Sequence, residues 1–318
     1  MSFQGIEEAF QRIKGIANKT PVMTSRTLNL LFNTQIFFKC ENFQRVGAFK
    51  FRGAYNALSL LPDKAKRNGV ITHSSGNHAQ AVALSASILG IKATIVMPRG
   101  SPISKINATK GYGAEIEICD NTLEARIQKT EEIMKQKQCI LIHPYDNDNI
   151  INGQGTAAYE LIEEIGKLDM IIAPLGGGGL LSGTAIAAKK LCLKAQVIGV
   201  EPSLADDGFR SLKAGYIIPS TYPNTIADGL RTSLCDRTFS IIRNLVDNVV
   251  TVSEKEILEA MRFHWERMKI IVEPSGAVPL AAILAKKIDF DNKKVGIIIS
   301  GGNIDIDPFF KLLEQQIQ

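Results

Sequence analysis

Short runs of aliphatic and β-branched residues alternate with longer stretches of helical period along most of the chain. The runs are IFFKC (36–40), VITH (70–73), ATIVM (93–97), EIEI (115–118), MIIAP (170–174), VIGVE (197–201), NVVTV (248–252) and VGIIIS (295–300), and each predicts a strand. Between many of them, apolar residues follow a helical spacing over 77–89, 102–110, 123–137, 153–165, 179–191, 254–269 and 276–287, which predicts helices. One more helix is expected from about Gly53 to Leu61. Several strands are apolar throughout, as strands covered on both faces of a parallel sheet must be. The fold class is therefore α/β with doubly wound, mostly parallel sheets. No repeat, low-complexity tract or Pro/Gly-rich linker marks a boundary, so two lobes would require the chain to cross between them more than once.

Composition narrows the partners. A chain of 318 residues, 45 % of them hydrophobic, suffices for one large or two modest lobes. The net charge is +5, but Lys and Arg are scattered among acids without the basic block that nucleic acid would need. Cys40, Cys119, Cys139, Cys192 and Cys235 form no CxxC, and fit buried small hydrophobes in a reducing, cytoplasmic setting. The opening MSFQGIEEAFQRIKG is amphipathic, carries Glu7 and Glu8, and lacks the apolar core of a signal peptide. The longest near-apolar run, Ala79 to Met97, is broken by Ser85, Ser87, Gly90 and Lys92, so no membrane span is expected.

Three strand-to-helix junctions and one lysine carry the candidate chemistry. In PLGGGGLLSG, Gly176 to Gly179 follow an apolar strand and open a helix, where successive N–H groups can turn onto a phosphate. The pattern is neither GxGxxG with a following acid nor GxxxxGK[ST], which removes the usual support for a dinucleotide or a nucleoside triphosphate. In THSSGNHAQA, Ser74, Ser75, Gly76 and Asn77 stand where a helix exposes unpaired N–H donors suited to a carboxylate. A serine there also serves as a plain N-cap, and His78 as a core histidine. In IIISGGN, Ser300 ends a buried strand where α/β sheets place ligands. Finally, GAFKFRGA sets Lys50 between Phe49 and Phe51. Either its ammonium snorkels to water, or the amine sits in a dry pocket, poised for a Schiff base with an aldehyde.

Phosphate cradle, amine, carboxylate loop and strand-end hydroxyl together make up the requirements of pyridoxal 5′-phosphate. The ordered set GAFKFRGA, SSGNHAQA, GQGT (153–156), GGGG and SGGN resembles the serine racemase and serine/threonine dehydratase family of fold type II pyridoxal-phosphate enzymes, over nearly the whole chain. The resemblance implies a tryptophan synthase β-like fold, with a large domain of 1–64 and 149–318 and a small mobile domain of 65–148. It implies Lys50 as Schiff-base lysine and base, and Phe49 packed beside the ring. Asn77 would bond the 3′ oxygen, Gly176, Gly177, Gly178, Gly179 and Leu180 would hold the phosphate, and Ser300 would face the pyridine nitrogen. A neutral hydroxyl at that nitrogen makes a weaker electron sink than an Asp, which favours β-elimination. Ser74, Ser75, Gly76, Asn77 and His78 would form the substrate loop, with Ser75 as the opposite-face proton donor that racemisation requires.

The same resemblance implies a Mg2+ site, or one for Mn2+ or Ca2+, in VIGVEPSLADDG, with Glu201, the Ala205 carbonyl and Asp207 as ligands. Read from the residues alone, this is as well a solvated acidic loop. Arg126 corresponds to an arginine that reaches toward a second substrate carboxylate, although such a helical arginine commonly faces water. Tyr145 stands where some serine racemases carry asparagine, a departure at a cofactor contact. Glu273 either lines the cavity or serves its helix N-terminus. The expected reaction is elimination of a small β-hydroxy amino acid, L-serine or L-threonine, to a 2-oxo acid and ammonia, with serine racemisation beside it. The alternatives are a dedicated serine racemase, a threo-3-hydroxyaspartate ammonia-lyase, or a noncatalytic phosphate-binding α/β protein. A homodimer is the family expectation. A nucleotide effector is compatible with the family, but the residues near Ser25, Arg26 and Arg45 form no specific motif for one. No amino-acid-binding regulatory domain is expected after SGGN.

Overall fold

The computed structural model describes residues 2–101 and 103–314. It contains ten strands: β1 Val22–Thr24, β2 Gln35–Cys40, β3 Val70–His73, β4 Ala93–Pro98, β5 Glu115–Cys119, β6 Ile140–Leu141, β7 Met170–Pro174, β8 Gln196–Pro202, β9 Asn248–Val252 and β10 Lys294–Ile299. Six form one sheet in the order β1-β2-β10-β7-β8-β9, and four form another in the order β5-β4-β3-β6. Only β1 runs antiparallel to its neighbour.

All eight strands expected from the apolar runs form. The two unexpected ones, β1 and β6, have three and two residues, too few to establish a period. Val295 to Ile299 of β10 are buried at every position, which a strand covered on both faces requires. Separate apolar clusters cover the six-stranded sheet, one around Phe38, Ile297 and Leu280 and the other around Ile171, Leu181 and Val197. The four-stranded sheet has clusters of its own, around Ile95, Ala79 and Leu58 and around Val96 and Ile133. Each such aliphatic side chain contributes about 1.5–3 kcal/mol on full burial.

Helix boundaries differ from the sequence expectation where a cap decides. The expected 153–165 helix begins five residues earlier, at Asp148, because Asn147 Oδ1 accepts from the Asn149 and Ile150 amides. The expected 102–110 helix runs Ile103–Gly111, with Pro102 outside the described residues. The expected 254–269 helix ends at Phe263 and continues as one π turn over His264–Met268. Most relevant to the site, the helix expected at 53–61 is Lys50–Ser59, so Lys50 is its first residue rather than part of the preceding loop.

That helix is anchored by a buried ion network. The Arg52 guanidinium meets both Glu41 and Glu160, and Lys39 also pairs with Glu160 at 2.7 Å. Two cations and two carboxylates balance, and removing one partner would cost about 3–5 kcal/mol because its counter-charge would remain buried. Among the described residues no helix is long and apolar enough to cross a membrane, and all five cysteines are free, four of them buried.

Candidate active site

The candidate groups stand at the carboxyl ends of strands from both sheets. Ser300 follows β10, and its carbonyl accepts the Phe49 amide at 3.0 Å. This bond, with an antiparallel bridge between Ala48 and Gly301, brings the start of the Lys50 helix to the end of the central strand. Lys50 is half-buried, its Nζ donating to the Pro144 carbonyl at 3.0 Å and lying 5.1 Å from the centre of the Phe49 ring. Desolvation lowers its pKa to about 8, so a useful fraction of the amine is neutral near physiological pH. Of the two readings left open by the sequence, the lowered pKa fits the dry pocket, while the side chain as a whole is half-buried.

The tetraglycine follows β7 and starts helix Gly179–Leu191. Gly178 is its N-cap with φ +88°, a left-handed conformation, and no side chain caps the exposed amides. Gly177 lies against the Tyr145 ring, and a Cβ there would come within 2.3 Å of it. Tyr145 thus packs against the glycine loop. Gln154, from the GQGT stretch, donates to the Pro144 carbonyl at 3.3 Å, while its buried Oε1 has no partner.

On the four-stranded side, β3 ends at His73 and helix Asn77–Ile88 follows. Its N-cap is Gly76, with no side-chain cap bond. Ser74 Oγ accepts the Gly76 amide at 3.2 Å, and the N-cap residue is Gly76 rather than either serine. Asn77 Nδ2 donates to Glu273 Oε1 at 2.8 Å, and its Oδ1 accepts from Asn303 at 2.8 Å. Glu273 is the N-cap residue of helix Pro274–Leu284 without capping it; its carboxyl points to Asn77 instead. Burial, followed by the charge of Asp228, raises its pKa to about 8, while Asn77 and Lys105 counteract.

His78 is buried and interacts with the Ile142 carbonyl at 3.0 Å through Nε2. Burial, then the Lys50 charge, lowers its pKa to about 3, so it is neutral and Nε2 is the donor. His143 is also held neutral, its pKa lowered to about 4 chiefly by burial. Arg126 is half-buried and turned to its own helix, Nε donating to the Thr122 carbonyl at 3.3 Å. Its charge is felt at His73.

Glu201, Ala205 and Asp207 are buried together beyond the glycine loop. They span the end of β8, a turn and the first residue of helix Asp207–Ala214, which replaces the single acidic loop expected there. Glu201 accepts the Gly208 and Phe209 amides at 3.1 and 2.7 Å, and neither oxygen of Asp207 has a hydrogen-bond partner. Burial raises both pKa values, with Asp207 adding to the effect on Glu201. Among the described residues no three His, Cys, Asp or Glu side chains cluster as a metal centre, so a cation here would need the Ala205 carbonyl and water.

The polar partnerships beyond the motifs were not foreseen. Nothing in SGGN marks Asn303 as a partner of Asn77, and the link of Lys105 to Asp228 at 2.9 Å joins residues 123 apart with no motif at either end.

These groups fit pyridoxal phosphate: an uncapped glycine cradle, an amine of lowered pKa and a strand-end hydroxyl. Residues 13–301 match the model of the family described as pyridoxal-phosphate dependent enzyme, and the chain belongs to it. The serine racemase of Schizosaccharomyces pombe is 50 % identical over 315 residues, covering 99 % of this chain and 98 % of that one. The L-threo-3-hydroxyaspartate ammonia-lyase of Saccharomyces cerevisiae is also 50 % identical, over 98 % and 96 % of the two chains. The crystal structure of serine racemase from Dictyostelium discoideum superposes with a TM-score of 0.92 at 49 % identity, covering 96 % of this chain and 99 % of that one. The fold is that of the fold type II enzymes.

Proposed function

We propose that this enzyme eliminates the β-hydroxyl of small L-amino acids, serine, threonine or 3-hydroxyaspartate, to give a 2-oxo acid and ammonia, and that it interconverts the enantiomers of serine. The observation that supports the reading is the Phe49 amide bond to the Ser300 carbonyl, which brings the start of the Lys50 helix beside the residue whose hydroxyl would face the pyridine nitrogen. Gly176 to Gly179 and the Leu180 amide would hold the phosphate, Asn77 the 3′ oxygen and Ser300 the pyridine nitrogen. When bound, pyridoxal phosphate supplies the aldehyde carbon that takes the substrate amine and the ring that accepts electron density from Cα.

Lys50 would take the Cα proton on its own face at Nζ, and its lowered pKa suits a base near neutral pH. The amides at the start of helix Asn77–Ile88, with Ser74, bind the substrate carboxylate. The neutral His78 and His143 add no competing cation beside it. The β-carbon–oxygen bond would break as the Cα proton goes to Lys50 Nζ, and the hydroxyl would depart as water carrying that proton. The unsaturated amine then tautomerises and hydrolyses. Return of a proton from the Ser75 hydroxyl on the opposite face gives the other enantiomer.

The finer assignments belong to the same reading. The segment 65–148 is taken as a small mobile domain, supported by its own sheet and apolar clusters. Glu201, the Ala205 carbonyl and Asp207 are taken as a Mg2+ site, supported by two unpaired buried carboxylate oxygens. Unpaired cysteines suit a reducing, cytoplasmic setting. A homodimer is supported by the exposed Trp265, Ile306 and Phe310, the first and last in ring contact. The deciding experiment is a panel of L- and D-serine, L-threonine and threo-3-hydroxyaspartate with chiral analysis of products. No turnover of any of these by protein carrying the cofactor would reject the reading.

A further inference from the structure

Lys50 and Arg52 leave their helix about 200° apart around the axis, so the two side chains emerge on opposite sides. The front one enters the site. The rear one is fully buried and gripped from two elements. Glu41, just after β2, takes Nε and Nη2 at 2.7 and 2.8 Å; Glu160, on helix Asp148–Ile165, takes Nη1 and Nη2 at 2.8 Å each. Thr156 adds a contact of 3.3 Å to Nη1, and Thr20 donates to Glu41 at 2.6 Å.

We propose that Arg52 is a positioning residue for Lys50: its double fork fixes the rotation of helix Lys50–Ser59 about its own axis, and thereby where the amine enters the site. The proposal rests on Lys50 being the cofactor lysine. Close packing also restrains this rotation, through Phe51, Ala54 and Leu58 buried on the helix and Asn56 donating to the Asn149 carbonyl at 2.7 Å, and the fork adds to it beside Lys50. A Cβ on Gly53 would lie 2.8 Å from the Ile150 carbonyl oxygen, and one on Gly153 2.5 Å from that of Arg52. Contacts between backbones set the separation of the two helices and resist rolling weakly. A roll of about 10° carries a lysine tip, roughly 8 Å from the axis, through about 1 Å. A misplacement of that size can cost about 100-fold in rate. Apolar side chains could fill the volume with equal stability, but a planar donor held by two carboxylates fixes an angle more sharply than they do.

The test compares Arg52→Lys, which keeps the charge and loses the fork, with Lys39→Gln, which perturbs the same Glu160 without touching the helix. Glu41→Gln serves as a second variant should Arg52→Lys fail to fold. Three quantities are read in each: the rate at which the cofactor-free full chain captures pyridoxal phosphate, trapped by borohydride and located by peptide mapping; kcat and KM; and Tm. Arg52→Lys is expected to slow capture and lower kcat together by about 10–100-fold, with KM held within about threefold. Lys39→Gln should lose Tm yet hold both rates within about threefold, and Glu41→Gln should fall between them. Wild-type capture and kcat in Arg52→Lys or Glu41→Gln would overturn the proposal, as would an equal slowing in Lys39→Gln. A wild-type label mapped to another lysine would instead sink the assignment of Lys50 itself.

Discussion

Asn77 and Glu273 are joined side chain to side chain at 2.8 Å, although they lie 196 residues apart and belong to helices on different sheets. Asn77, proposed to bond the 3′ oxygen of the cofactor, is therefore oriented by a carboxyl group beside the other sheet. Asp228 and Lys105 face that carboxyl with opposite charges. Its pKa, about 8 against an ordinary value of 4.5, means that the folded protein binds a proton there which the unfolded chain has released. Stability contributed by this proton is present at low pH and is lost as pH rises from about 5 to 8. Glu273→Gln should remove that part of the slope. The check is Tm against pH for both proteins over this window; parallel curves would show that Glu273 is ionised in the fold.

Lys50 predicts the opposite sign. Its folded pKa is depressed to about 8, so the folded state holds fewer protons than the unfolded one between about 8 and 10.5, and stability should rise with pH there. Lys50→Met should erase this rise in the cofactor-free protein, remain folded, and lose all turnover and all borohydride-trapped cofactor. Retained trapping would place the covalent link on another lysine.

Ser75→Ala separates the two activities. Lys50 and Ser75 are assigned to opposite faces of a planar substrate, so each exchanges a proton with one enantiomer. The variant should keep pyruvate release from L-serine and lose both D-serine formation and pyruvate release from D-serine, by about 10²–10⁴-fold. Racemisation at the wild-type rate would leave the opposite face to another group.

At Glu201 and Asp207, added Mg2+ should raise the Tm of chelator-treated protein, since an ion bound only by the folded state stabilises it by mass action. Asp207→Asn should abolish that response. It should also raise the Tm of the metal-free protein by relieving the repulsion between two buried acids. A Tm indifferent to Mg2+, Mn2+ and Ca2+ would remove the site.

What the chain disclosed in advance was local. The tetraglycine, the SSGN turn and Ser300 lie at strand-to-helix junctions, where hydrophobic period and glycine content change within a few residues, and Lys50 stands out between two phenylalanines. The eight longer strands were legible for the same reason. The partners of Arg52, 11 and 108 positions away, and the pairing of Asn77 with Glu273 obey no period; they follow from which strand ends the fold sets side by side. Tyr145 was legible as a departure, but its contact with Gly177 was not, because nothing in HPYDND says which loop lies opposite.

The strand order has a consequence for assembly of the molecule. β10, formed by residues 294–299, lies between β2 and β7 and is the bridge joining β1-β2 to β7-β8-β9. The four-stranded sheet draws only on residues 70–141, and its pairings can close early. The larger sheet needs a pairing between residues about 260 positions apart, a slow kind of closure. Until it forms, Ser300 cannot meet Phe49, and the site has no floor. In a pulse-labelled refolding experiment, amides of β3 and β4 should gain protection before those of β2. Cofactor capture should wait for β10, so this enzyme acquires its chemistry in the last step of its folding.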